Sequence, residues 1–398
     1  MIEVALFFAS GILLGAIAGI MPGLHPNLIA AMVSGIAYGI FPSTGSFIIF
    51  MVAMGVSNSM ISFLPSVFLG SPDENTVLSA SPAHRLLRKG MGMHALRLSV
   101  IGGVLAMCFC VASMPLAIVL FPAAYSIVRP YTHIMLAAFV MLMIATERKK
   151  LTAAFFFFSS GALGMLGSSL PISPDFYLLP VLSGLFGAPI LLISMKMNAD
   201  IPPQSARPVR ISSRTASLSS VSGSLSGMLA GLLPGVGPSQ AAFVADAATK
   251  KKRTEEGFLI SLGSVTMANT LFSFIALWLI GNPRSGLAVA IGNFADVGVN
   301  EFMLMVASAA AACGISAVIC IKMSGIFSRI VPRLNYPLLC LSIMAYTALM
   351  VAVFTGAYGM LIFIITSCLG IAASLSQTSR SHLMGVLILP TMLFFAGI

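Results

Sequence analysis

The chain has 398 residues, 58% hydrophobic and only 8% charged, with a formal net charge of +10. A soluble domain carries about 25% charged residues, so this chain cannot cover a water-facing surface, and its mean hydropathy of +1.02 assigns it to the lipid bilayer. Nucleic-acid binding is excluded, because no basic patch alternates with aromatics on a soluble element.

Apolar stretches of spanning length follow one another between turn and charge punctuation. Residues 1–20 lack a basic n-region and a small-x-small cleavage site, so a retained helix is expected rather than a signal peptide. They open a broken segment at 4–40, closed by Phe41-Pro42-Ser43-Thr44-Gly45. Spans are predicted near 46–69, 98–121, 132–146, 151–170 and 177–195. Residues 196–216 form a polar linker. A second broken segment runs over 217–249 to Lys250-Lys251-Lys252-Arg253, and spans follow near 258–280, 299–321, 335–353, 357–375 and 383–397. Cys108, Cys110, Cys313, Cys320, Cys340 and Cys368 all lie in apolar segments and read as small core residues, not as a zinc set.

The two broken segments are copies. Residues 9–27 read ASGILLGAIAGIMPGLHPN, and residues 221–239 read VSGSLSGMLAGLLPGVGPS. At an offset of 212, Ser10, Gly11, Leu13, Gly15, Ala18, Gly19, Pro22, Gly23 and Pro26 match Ser222, Gly223, Leu225, Gly227, Ala230, Gly231, Pro234, Gly235 and Pro238. The match continues at 211 with Asn58 and Asn269, then Gly70-Ser71-Pro72 and Gly281-Asn282-Pro283. It ends at 210 with Leu179-Pro180 and Leu389-Pro390. The expected fold is therefore an all-α polytopic membrane protein of two repeats, 1–195 and 217–398, joined by a cytoplasmic linker at 196–216.

Charge suggests that the repeats are inverted. Arg85, Arg88, Lys89, Arg97, Arg148, Lys149 and Lys150 have no basic counterparts in the second half, while Lys250 to Arg253 face an uncharged turn in the first. The positive-inside rule gives this bias when the halves lie upside down. With each broken segment a re-entrant hairpin followed by five spans, most Lys and Arg fall on the cytoplasmic side and both termini outside. Arg129 and Arg284 are the exceptions.

A Pro-Gly break inside a span removes a donor and stops the helix. Broken backbone at membrane depth persists where it lines protein or a wet cavity, and the next half-helix then points its free N–H groups at an anion. The other reading is ordinary kinking with close packing, which Gly15-x-x-x-Gly19 and Gly227-x-x-x-Gly231 would also serve. Candidate substrate-binding residues are Pro22, Gly23, His25, Asn27 and Asn58 in the first half, with Pro234, Gly235, Gly237, Ser239, Gln240 and Asn269 in the second. Ser57, Ser59, Thr266 and Thr270 are candidate ion-coupling residues. Each of these polar groups would also serve as an interhelical hydrogen bond. The polar segment 70–97 reads equally as a gate, a second hairpin or a solvated cytoplasmic loop. No Walker loop, metal spacing or Gly-x-Ser-x-Gly is present, so no enzyme is expected.

At the breaks the chain resembles the large membrane subunit of the tripartite tricarboxylate transporter family, TctA, whose motif is Gly-x3-Gly-x2-Pro-Gly-x-Gly-Pro in two copies. Gly227, Gly231, Pro234, Gly235, Gly237 and Pro238 fit fully, and the first copy departs at His25. Pro72, Pro82-Ala83, Lys89-Gly90 and Ala95-Leu96 fit the family's following loop, but Ala80-Ser81 stands where the family has Asp-Gly. The resemblance, to a compact stand-alone branch, implies a gradient-driven carrier of organic anions in the cytoplasmic membrane. No cofactor is implied beyond a coupling Na+ or H+. The expected partners are a small anion or a lipid phosphate and the surrounding lipids, with a homodimer as one oligomeric form that the sequence leaves open. A polyprenyl-phosphate lipid carrier stands as the alternative, its chain leaving past Phe155-Phe156-Phe157-Phe158. A third reading, a scaffold without transport, fits the duplication least.

Overall fold

The computed structural model describes residues 2–21, 26–34, 37–69, 80–196, 202–205, 211–232, 238, 241–242, 254–281, 283, 285–331, 335–376 and 378–397. Among these every regular element is helical: α1 (Ile2–Ile20), α2 (Pro26–Ser34), α3 (Ala37–Ile40), α4 (Thr44–Ile61), α5 (Phe63–Phe68), α6 (Ala80–Arg88), α7 (Gly92–Ala112), α8 (Met114–Val128), α9 (Thr132–Thr146), α10 (Lys150–Leu166), α11 (Pro174–Leu182), α12 (Ala188–Lys196), α13 (Ser213–Leu232), α14 (Glu255–Ile280), α15 (Gly286–Phe294), α16 (Val299–Ile330), α17 (Tyr336–Leu375) and α18 (Gly385–Ala396). Eight helical runs among the described residues are long and apolar enough to cross a membrane. The protein is all-α and multi-pass.

Some expected spans are divided differently. The stretch at 98–121 breaks at Ser113, where Pro115 supplies no N–H and starts a new helix in its first turn. The apolar run then continues through a turn at Arg129–Tyr131 into α9, giving 33 residues from Met114 to Thr146. The spans at 335–353 and 357–375 form the single 40-residue α17, interrupted at Gly356 by a left-handed φ of 61°. A straight helix of that length would be about 60 Å long, about twice the hydrocarbon thickness, so the interruption divides it into two span-sized pieces.

The chain forms two compact units, and each draws residues from both sequence halves. The larger is built around α4 and α14. Every residue of α4 from Ser46 to Ile61 is buried, as is most of α14. Their starts are alike. Ser43 caps α4 by accepting the Ser46 N–H at 3.2 Å, and Thr254, at offset 211, caps α14 by accepting the Gly257 N–H at 3.2 Å.

Each central helix is covered by a glycine-faced partner. On α1, a methyl at Gly11 would come 2.5 Å from the Phe50 carbonyl oxygen, one at Gly15 would overlap the Met54 carbonyl, and one at Gly19 would lie 3.1 Å from Ile61 Cβ. On α13, Gly223, Gly227 and Gly231 sit in the same way on Ser261, Val265 and Phe272 of α14. The three contact partners on α4 and α14 correspond at one offset, 211. The duplication therefore extends to the packing. Further cover crosses between halves: α7 lies on α14 and α16 on α4. Gly102 abuts the Ile260 carbonyl, Gly263 abuts that of Ser99, and Ser264 Oγ donates to the Gly102 carbonyl at 2.8 Å. Cys320 Sγ donates to the Met60 carbonyl at 3.4 Å.

The first turn of α14 carries Glu255 and Glu256, where carboxylates suit the positive helix end. Arg85 lies 2.8 Å and Lys89 4.0 Å from Glu255, and His94 3.2 Å from Glu256. Exposed pairs of this kind contribute little stability but fix how α6 and α7 meet α14. Part of the linker is tied down here as well. Gln204 Oε1 accepts the Gly92 N–H at 2.8 Å, its Nε2 donates to the Leu87 carbonyl, and the Ser205 N–H donates to the Gly90 carbonyl at 2.8 Å. Gly90 turns with φ 74°, a conformation L side chains rarely adopt.

In the smaller unit α10 crosses α18 through Gly161, Gly164 and Gly385. His382, 2% exposed, lies with Nε2 3.1 Å from Glu147 Oε2, and Lys149 Nζ donates to the Ser376 carbonyl at 3.0 Å. Of the phenylalanine run, Phe156 and Phe157 are buried while Phe155 and Phe158 are exposed, as one helical turn requires. All six cysteines are free.

Gly263→Ala should lower the melting temperature of the detergent-purified protein or abolish its folded yield, because its methyl meets backbone that cannot swing away, at a cost of about 1–3 kcal/mol. Gly314→Ala, with nothing within 4 Å, should leave both unchanged. Equal behaviour of the two in thermal denaturation would contradict the packing.

Candidate functional site at the crossing of α4 and α14

The central helices run antiparallel where they touch. Ser59 Oγ lies 2.7 Å from Thr270 Oγ1, and a methyl at Gly55 would lie 3.0 Å from Phe274 Cζ, so advancing along α14 means retreating along α4. Ser59 and Thr270 are also the same position of the repeat, offset by 211.

The hydroxyls here are directed. Thr270 Oγ1 donates to the Thr266 carbonyl at 2.9 Å, so Ser59 is the donor in the pair. Ser57 Oγ donates to the Ile12 carbonyl of α1 at 2.9 Å, which assigns it to helix packing. Asn58, 3% exposed, and Thr266, 1% exposed, each hold a side-chain oxygen with no hydrogen-bond partner among the described residues. Buried polar atoms are ordinarily paired, and in a bilayer no bulk water compensates. Asn269, half-buried, follows Thr266 on the next turn of α14.

The ends of α1 and α13 flank this crossing. Gly19, near the end of α1, packs beside Asn58, Ile61 and Ser62; Gly231, near the end of α13, packs beside Phe272. Both interrupted helices therefore stop next to the turns that carry Ser59 and Thr270. Pro22, Gly23, His25, Pro234, Gly235, Gly237, Ser239 and Gln240 lie outside the described residues; Asn27 is in the first turn of α2, but its side chain also lies outside them.

One element was not foreseen. After α14 ends at Gly281, with φ 61°, the chain starts α15 at Gly286. Its Leu287 Cδ1 would lie 3.1 Å from a methyl at Gly55, and Phe294 stacks near Phe47 with ring centroids 4.3 Å apart. Helix α15 thus runs antiparallel to α4 and repeats the direction of α14. Ser285 caps it by accepting the Ala288 N–H at 3.2 Å, and its Oγ lies 3.4 Å from that of Ser273. The sequence signal was Gly281-Asn282-Pro283, which reads as the end of a span. Ser285 as an N-cap was the unused part of it. Among the described residues no group of His, Cys, Asp and Glu could hold a metal ion.

Two helices that end beside a buried polar crossing, inside a multi-pass helical unit, suit a membrane transporter. The chain belongs to the Tripartite tricarboxylate transporter TctA family, whose description matches residues 5–385. It is 28% identical over 408 residues to an uncharacterized protein, MJ1079, of Methanocaldococcus jannaschii, with 98% of each chain covered. No solved structure matches.

A double-mutant cycle of Ser59→Ala and Thr270→Val, read by thermal unfolding in detergent, should give a coupling of about 0.6–1.7 kcal/mol. The pair Ser57→Ala and Thr270→Val should be additive. Additivity in the first cycle would mean that the two hydroxyls do not meet.

Proposed function

We propose that the protein is a secondary transporter that carries a small carboxylate-bearing anion across the cytoplasmic membrane, driven by a sodium or proton gradient. The substrate is held between the Pro22-Gly23 and Pro234-Gly235 breaks, with Asn58 and Asn269 beside them, while Ser59, Thr266 and Thr270 serve the coupling ion. The observation that carries this reading is the antiparallel contact of Ser59 with its own repeat counterpart. Repeats related by an axis across their helices lie upside down in a membrane, and two breaks on either side of that axis approach one site from opposite faces. Family membership supports the class of cargo. On this reading residues 1–195 and 217–398 are the inverted halves, and the charge bias places the linker in the cytoplasm.

Uptake of labelled di- and tricarboxylates into proteoliposomes, with and without an imposed sodium or proton gradient, tests the proposal. Wild-type protein should accumulate at least one of them under one gradient, and Gly23→Val or Gly235→Val should cut uptake at least about ten-fold, equivalent to ~1.4 kcal/mol. Normal uptake by both variants would remove the breaks from the site. Epitope tags at either terminus should be reached by antibody from outside intact cells. Access only after permeabilisation would reject the inverted arrangement.

A further inference from the structure

Four cations of the smaller unit are gathered at one end, and the carrier reading leaves them unused. Two turns meet there. One is Glu147-Arg148-Lys149-Lys150, between α9 and α10. The other runs from Ser376, at the end of α17, through a 3-10 turn at Arg380–Met384 into α18. Three contacts lock the turns together. His382 Nε2 lies 3.1 Å from Glu147 Oε2, Lys149 Nζ donates to the Ser376 carbonyl at 3.0 Å, and Ser160 Oγ donates to the His382 carbonyl at 3.4 Å. Arg380 is drawn to the same place, its Nε donating to Ser374 Oγ at 3.1 Å in the last turn of α17. Lys149 and Arg380 are thus held at one helix end.

The charges there do not balance. Among the described residues no carboxylate pairs with Arg148, Lys149, Lys150 or Arg380. Glu147 is turned to His382, and the C-terminus of α17 supplies only about half a unit of negative charge. The positive-inside rule explains three exposed cations on a turn. It does not explain Arg380, which is half-buried and fastened to the helix end that also holds Lys149. Like charges fixed at the edge of hydrocarbon repel with little water to screen them, so such a cluster suits an anion. The cluster also borders bare apolar surface. Leu151 and Leu375 are exposed directly beside Lys150 and Ser376. Leu151, Phe155 and Phe158 recur at i, i+4 and i+7, all exposed, so an apolar stripe of α10 leads away from the cations. A free phosphate would use the charges alone, whereas a phospholipid uses the charges and the stripe.

We propose that Arg148, Lys149, Lys150 and Arg380 bind the headgroup of an anionic phospholipid whose acyl chain lies on Leu151, Phe155 and Phe158 of α10. The charge bias assigns this end to the cytoplasmic face, the leaflet that carries the anionic lipids. The lipid clamps the α9–α10 turn to the α17–α18 turn. It is a resident partner of the smaller unit and not the cargo.

The test uses the full-length protein in detergent. Its affinities for phosphatidylglycerol and phosphatidylcholine are read by native mass spectrometry, with the melting temperature measured alongside. Each cation at an anionic surface strengthens attachment about five-fold. Wild type should therefore prefer phosphatidylglycerol by about ten-fold or more and melt higher with it. Arg380→Gln should cut that preference about five-fold, and Arg148→Gln combined with Lys150→Gln should bring it within about two-fold of none. Arg88→Gln combined with Arg329→Gln removes two exposed cations elsewhere and should leave the preference unchanged. An equal loss in that control would mean that net charge selects the lipid, and would overturn the proposal, as would the lack of any preference in wild type. Inorganic phosphate should neither displace phosphatidylglycerol nor raise the melting temperature as the lipid does; if it does either, the cluster is a phosphate site and the lipid is rejected. Should Arg380→Gln not be recovered folded, the double variant on the exposed turn decides alone. None of these residues belongs to the carrier site, so failure here leaves that reading standing.

Discussion

The larger unit depends on backbone meeting backbone. Lipid tails are as apolar as leucine, so no hydrophobic force drives one spanning helix onto another, and close packing must hold them instead. Glycine on every turn of one face of α1 and α13 lets those helices rest on the carbonyls of α4 and α14. Gly102 and Gly263 do the same where α7 meets α14. The ends of α1 and α13 beside the polar centre are placed by the glycine faces.

The glycine faces were legible in the sequence because residues four apart share a helix face, and the duplication because its offset holds over a whole half. The interruption of α17 near residue 355 was legible from composition, and Gly356 gives its cause. The Ser59–Thr270 contact was not legible, since it depends on the relative register of two helices that sequence does not relate. Helix α15 escaped notice because nine residues make too short an apolar run to separate from a loop. The linker read as solvated from its charge, but the Gln204 amide finds two backbone partners at the turn before α7. Ser57 looked like a partner of Ser59 by proximity in sequence. One residue turns a helix by about 100°, which sends Ser57 to α1 while Ser59 meets α14.

The two halves share a packing plan but not its polar filling. Ser57, bonded to α1, corresponds to Ala268; Thr266, with its unpartnered hydroxyl, corresponds to Gly55; Ser224 corresponds to Ile12. Glycine spacing was retained where a side chain would collide with backbone, and polarity diverged where a side chain faces the interior. The two halves therefore bring different chemistry to the crossing.

The full enclosure of α4 has a consequence for synthesis. Its covering helices α14 and α16 belong to the second half, on the order of 200–250 residues later in the chain, and at roughly 5–20 residues per second they emerge roughly 10–50 s after it. During that interval Ser57, Asn58 and Ser59 face whatever the young helix touches. Ser57 finds the α1 carbonyl at once, since that helix precedes it, whereas Ser59 waits for Thr270. The nascent first half thus spends many seconds as an unfinished protein with a wet spot turned toward lipid, a state that insertion machinery or a chaperone within the bilayer would be suited to shelter.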